Sequence, residues 1–205
     1  MQRKKTLTVN LNSIKPHLQF IIFTAVFVVG IVLGCILVGR LESLLNSSSE
    51  NASSFFELRK TYNILSVLNS ALAYSVPYYI IVFLCGTSII GCVITPIALL
   101  LKGFSFGALS GYMYFTFQLE GIMFNALLLI PSTIVCAFGL ILLAKESFSF
   151  SYLLSGICVK SNKPINIYSN FKAYCLRSLI FSLFALLAVL VDLGMSALFA
   201  RFFNF

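Results

Sequence analysis

The sequence contains no tryptophan, a single histidine and only six acidic residues in a chain of 205. Charged residues of both signs make up 10% of it, where a soluble domain needs about a quarter to cover its surface. A water-exposed globule is thereby excluded. The lone His17 has no second histidine to help it hold a metal, and it reads as an interfacial residue. The six cysteines, Cys35, Cys85, Cys92, Cys136, Cys158 and Cys175, include no C-x-x-C pair and fall in apolar runs or beside basic segments. That usage argues against both zinc and a disulfide framework. Also missing are a glycine-rich phosphate loop, an H-E-x-x-H helix and a nucleophile elbow. The longest stretch outside the apolar runs, 40–75, holds 36 residues, too few for the usual catalytic domain. The expectation is a protein with no enzymatic activity, no cofactor and no metal.

Apolar residues are abundant instead: 60% of the chain, with a mean hydropathy of +1.00. A helix needs roughly 20 apolar residues to cross a hydrocarbon core of about 30 Å. "HLQFIIFTAVFVVGIVLGCILVG", residues 17–39, meets that requirement. It is too long for a signal-peptide core of about 7–15 residues and no A-x-A-like site follows it, so it reads as a retained anchor. The run from Val76 to Phe117 has 42 residues, or about 63 Å of helix, twice the bilayer. Its single charge, Lys102, is the natural place to divide it. This predicts a hairpin with Lys102 at its tip and spans at 76–101 and 103–118. Glu120 marks the following turn, "GIMFNALLLIPSTIVCAFGLILLA" (121–144) returns, and 179–200 forms the last span. The fold class expected is an all-α polytopic bundle of five spans in one integral membrane domain. A loop at 40–75 lies on one side and a loop at 145–178 on the other.

The net charge of +8 then reads as orientation. Arg3, Lys4, Lys5, Lys15, Lys102, Lys145, Lys160, Lys163, Lys172 and Arg177 fall on one side, against Arg40, Arg59, Lys60 and Arg201 on the other. Ten against four predicts N-in and C-out topology by the positive-inside rule. The partner implied by composition is membrane lipid; nucleic acid is not expected. Within the outer loop, Phe56, Tyr62 and Leu65 are spaced like an apolar helical face, suggesting a surface helix that leads into the second span. The segment "SFSFSYLLSGICV" after Lys145 reads as interfacial or as an extension of the fourth helix.

Several residues stand out. Gly103, Gly107 and Gly111 form a stripe at four-residue spacing, as do Gly30 and Gly34. In lipid, small residues let helix backbones touch, so both stripes read either as packing within the chain or as an interface with a partner or a second copy. Asp192, about 13 residues into the last span, is a carboxylate inside the membrane, where ionisation costs at least a few kcal/mol. It reads as a proton or cation site, an anchor for a partner, or a hydrogen-bonded structural residue. With the hairpin at Lys102, no second ionisable residue falls within a span. Pro96 and Pro131 lie inside the second and fourth predicted spans and should kink them. Asn46-Ser47-Ser48 and Asn51-Ala52-Ser53 match glycosylation sequons, which serine-rich loops also produce by chance.

The stretch "GTSIIGCVITPIALLLKGFSFGALSGYM", followed by "NALLLIPSTIVCAFGLILLAKESFSFS", resembles the stage II sporulation protein M family of small bacterial polytopic proteins. The resemblance is carried by Gly86, Gly91, Pro96, Lys102, Gly103, Gly107, Pro131 and Asp192, and is specific over Gly86–Ser151. Some members of the wider family have His-Gly after the fourth-span proline, where this chain has Ser132 and Thr133. The resemblance implies a multi-pass protein of the bacterial cell membrane, in the sporulation septum. It would be a scaffold without catalysis that recruits the peptidoglycan-degrading stage II sporulation proteins D and P during engulfment. The alternative is a small channel, permease or transporter subunit using Asp192 and the proline-kinked spans. The two differ in one structural respect: a transport path should gather several polar residues at the level of Asp192.

Overall fold

The computed structural model describes residues 11–40, 64–159 and 167–199. Among these, every residue outside the turn Thr87–Ile90 belongs to a helix. The helices are α1 (Leu11–Arg40), α2 (Ile64–Gly86), α3 (Gly91–Phe124), a π-helical turn (Asn125–Leu129), α4 (Ile130–Val159) and α5 (Ile167–Phe199). Five stretches within them are long and apolar enough to cross a membrane: His17–Arg40, Val67–Gly86, Gly91–Thr116, Gly121–Gly156 and Tyr168–Leu198. The all-α, five-helix bundle is therefore as expected, and the chain is a multi-pass membrane protein by fold.

The second and third helices do not divide where expected. Lys102 is not a hairpin tip. It lies in the middle of α3, eleven residues from Gly91, or about 16 Å along the axis. The turn is fourteen residues earlier, at Thr87–Ile90, and replaces the expected spans 76–101 and 103–118. It is closed by Thr87 N–H to the Leu84 carbonyl (3.1 Å), Ser88 N–H to Cys85 (3.0 Å) and Gly91 N–H to Ser88 (3.1 Å). The Thr87 hydroxyl also donates to Leu84 O at 2.7 Å. Two glycines bracket the turn for a steric reason. A Cβ on Gly86 would run into the Tyr174 and Ser147 hydroxyls, and one on Gly91 into the Cys85 carbonyl.

Other boundaries shift with it. Residues 64–75, expected in the outer loop, begin α2, and Leu65 is exposed on it. Residues 145–159 continue α4 and 167–178 begin α5, so little of the expected 145–178 loop remains. Phe56, Tyr62, both sequons, Cys158's side chain, and Lys160, Lys163 and Arg201 lie outside the described residues. Taking Lys102 out of the inner set leaves nine basic residues against four, so the sign of the expected orientation is unchanged.

Pro96 falls in the second turn of α3 rather than in the second span. The sharp break in α3 occurs at Gln118, whose φ of 47° and ψ of −121° are not helical. That is the hairpin turn placed by the sequence at Glu120, two residues away. Pro131 sits one residue past the π-helical turn, after Ile130. The wider π-turn relieves the clash between its ring and the preceding carbonyls. The Ser132 and Thr133 hydroxyls both donate to the Leu129 carbonyl, at 3.1 and 2.7 Å.

The glycine stripes pack inside the chain. α1 lies along α3, the most extensive helix pair in the bundle. A Cβ on Gly30 would meet the Leu100 carbonyl, on Gly34 the Phe104 carbonyl, on Gly103 the Phe27 carbonyl and on Gly107 the Ile31 carbonyl. Gly111 is looser, its Cβ reaching Cys35 Cα at 3.2 Å. The Cys35 thiol donates to the Gly107 carbonyl at 3.1 Å across the same seam. All five helices contribute to the main core, through Phe23 and Phe27, Tyr79 and Val82, Leu99, Leu140 and Leu143, and Ala185 and Ala188. Large apolar side chains such as Ile21, Val32, Ile97, Ile134, Leu183 and Leu190 face outward, as a lipid-facing surface requires.

Candidate intramembrane polar site

Moving the hairpin to Thr87–Ile90 carries Lys102 into the bundle, where its side chain is 3% exposed. A lysine that deep needs compensation, because an ammonium in hydrocarbon is costly. Its Nζ donates to the Tyr74 carbonyl of α2 at 2.8 Å. The same nitrogen lies 3.5 Å from the centroid of the Tyr74 ring and 4.7 Å from that of Tyr78. Ring faces carry negative potential, so both contacts favour the charge. The Tyr78 hydroxyl in turn pairs with the Ser105 hydroxyl, one turn along α3, at 3.2 Å.

Lys102 also lines a cavity of about 50 Å³ that Asp192 of α5 shares. Ser70, Tyr74 and Ser75 come from α2, Leu129 from the π-turn, and Ser132, Thr133 and Cys136 from α4 and its start. Asp192 is 6% exposed. At about 10–15 Å³ for each water, the cavity has room for a few water molecules. Three devices assemble it. The glycine seam fixes α3 against α1 and thereby the rotation that turns Lys102 toward α2. The π-turn before Pro131 presents Leu129, Ser132 and Thr133. The helical register of α5 places Asp192 one turn beyond the buried pair Ala188 and Val189.

The sequence expectation of a solitary intramembrane carboxylate is therefore corrected. A second ionisable group, Lys102, lines the same chamber, with several hydroxyls. Pro131 borders it through its neighbours Ser132 and Thr133, while Pro96 does not line it. Ser132 and Thr133, where some members of the family that the sequence resembles have His-Gly, line the chamber. Tyr74, Ser70 and Ser75 had no distinguishing signal, since tyrosine and serine are common throughout apolar helices.

A second polar network closes the bundle at the Thr87–Ile90 end. Ser147 Oγ donates to the Val82 carbonyl at 2.8 Å, Tyr174 Oη to Phe83 at 2.9 Å and Ser151 Oγ to Ser88 at 2.7 Å. The Cys92 N–H donates to Ser151 Oγ at 3.0 Å. These bonds satisfy backbone groups that the end of α2 and the start of α3 leave open. Tyr174 is held between Phe83 and Phe150, stacked at 5.6 and 4.8 Å. Glu146 and Arg177 pair at 3.1 Å on the surface nearby. This end is architecture: its hydroxyls are spent on main-chain groups.

No family model, curated protein or solved structure matches the chain.

Proposed function

We propose that this chain is a non-catalytic membrane scaffold of the sporulation engulfment machinery, holding the peptidoglycan-degrading stage II sporulation proteins D and P at the septal membrane. The observation that supports it is the mechanical use of the motif positions behind the resemblance. Gly86 and Gly91 close the α2–α3 turn, and Gly103 and Gly107 seat α1. Pro131 follows the π-turn. A motif spent on building a bundle suits a platform better than an active centre. The glycine seam is used within the chain, so the partners or a second copy would dock on another face. Crosslinking and co-purification from sporulating cells tests the reading. Recovery of the two hydrolases with the wild-type chain, and their loss with Gly107→Leu, is the expected result. Their absence from wild-type complexes would sink it.

One observation favours a second reading, a small permease or subunit of one: polar residues do gather at the level of Asp192, with Lys102 among them. Under the scaffold reading Asp192→Asn preserves function and Asp192→Leu weakens complex formation. Under the transport reading Asn is as damaging as Leu, because the titratable charge matters. Solute or ion flux in reconstituted liposomes, abolished by Asp192→Asn, would move transport to first place.

A further inference from the structure

The lining of the Lys102–Asp192 chamber has a chemical bias that the bundle does not require. A hydroxyl has one hydrogen, and a carbonyl can only accept. Ser70 Oγ gives its hydrogen to the Val67 carbonyl at 2.9 Å. Ser132 and Thr133 give theirs to the Leu129 carbonyl. Each of these oxygens can then only accept from anything in the chamber. Asp192 adds carboxylate oxygens. Lys102, the one charged donor in the wall beside the Ser75 and Tyr74 hydroxyls, is engaged by the Tyr74 carbonyl and by the Tyr74 and Tyr78 ring faces. The charged groups facing the chamber from its four walls are Lys102 and Asp192, with Tyr74 and Cys136 as the remaining titratable groups.

We propose that the chamber binds one small monovalent cation, an alkali ion, with Asp192, Ser70, Ser132 and Thr133 as the oxygen donors. Hard oxygen donors suit such an ion, and soft sulfur is confined to Cys136. A divalent ion is disfavoured more strongly than a monovalent one, because with Lys102 in the same wall as the one carboxylate it leaves two uncompensated charges in a low dielectric where a monovalent ion leaves one. The volume of about 50 Å³ admits an ion with one or two waters. This inference deepens the transport reading and rests on it only for the step from binding to movement across the membrane. A scaffold that carries the same bound ion is equally compatible with it.

The test is equilibrium binding to the full-length protein in nanodiscs, with no gradient. The thermal midpoint is measured in lithium, sodium, potassium and choline chlorides at one ionic strength, and across pH in choline. The expected result is a saturable rise with one alkali ion over choline, absent in Asp192→Asn. A midpoint that depends on pH but on no alkali ion, with the dependence lost in Asp192→Asn, reports protonation of the Asp192 carboxyl itself and overturns the proposal. Removing one oxygen donor in Thr133→Val should raise the half-saturating ion concentration about five-fold. If Asp192→Asn does not fold, Thr133→Val and Ser132→Ala decide, and an unchanged half-saturation in both overturns the proposal. So does a wild-type midpoint indifferent to the alkali ion. Saturable binding without flux would overturn the transport reading alone and leave the site standing.

Discussion

Gly103 and Lys102 are adjacent in sequence and sit in opposite environments of the same helix. Toward α1, α3 presents Gly103, Gly107 and Gly111, and the two backbones approach until a single Cβ would collide with a carbonyl. About 100° round the helix, it presents Lys102 to a small polar chamber shared with α2, α4 and α5. The first surface is dry and gains its energy from close packing; the second is wet enough for a few waters and depends on compensated charge. α3 therefore works as a pivot: the dry seam sets a rotation, and the rotation delivers the lysine. Damage to the seam should therefore reach the chamber, whereas damage to the chamber should leave the seam intact.

Gly107→Leu strikes the comparison hardest. Its side chain would have to displace the Ile31 backbone, so a loss of about 3 kcal/mol or more is expected, seen as failure to purify or as unfolding at far lower denaturant. Gly107→Ala should cost more than Gly111→Ala, because the added Cβ at 111 meets Cys35 only at 3.2 Å. Equal denaturation midpoints for those two variants would show that the seam is not the tight contact described. Lys102→Met comes next, at about 2 kcal/mol from the lost charged hydrogen bond and ring contacts. Its cost in the Asp192→Asn background should be smaller than in wild type, a coupling that a double-mutant cycle reads directly. Strict additivity would mean that the two groups share a cavity without sharing charge. Smaller effects run the other way. Gln118→Gly should stabilise by about 1 kcal/mol, since glycine adopts the positive φ at that turn without strain. Gly194→Ala, on an open face of α5 where a Cβ meets nothing within 4 Å, should gain up to about 1 kcal/mol from helix propensity. A destabilised Gly194→Ala would reveal that something packs there in the membrane.

The amino-acid order alone established the membrane class, the number of crossings and the close-packing role of the glycines. These follow from composition, run length and spacing, which act locally and need no knowledge of neighbours. It misplaced the α2–α3 turn because a lone lysine in an apolar run outweighed the quieter signal "GTSIIG", two glycines around a threonine and a serine. A charge marks a turn only when no partner can reach it inside the bundle. That condition depends on where α2 stands, and α2 supplies the Tyr74 carbonyl and two ring faces. The same error hid the second ionisable group, so Asp192 read as solitary. Legible as single residues, Lys102, Pro131 and Asp192 came together only in three dimensions, the first and last lining one chamber and Pro131 bordering it through Ser132 and Thr133. They lie on three different elements, 29 and 61 residues apart along the chain. Only the packing of α3 against α1, the π-turn before Pro131 and the register of α5 bring their surroundings to one cavity. Local spacing specifies faces, whereas long-range packing specifies which faces meet.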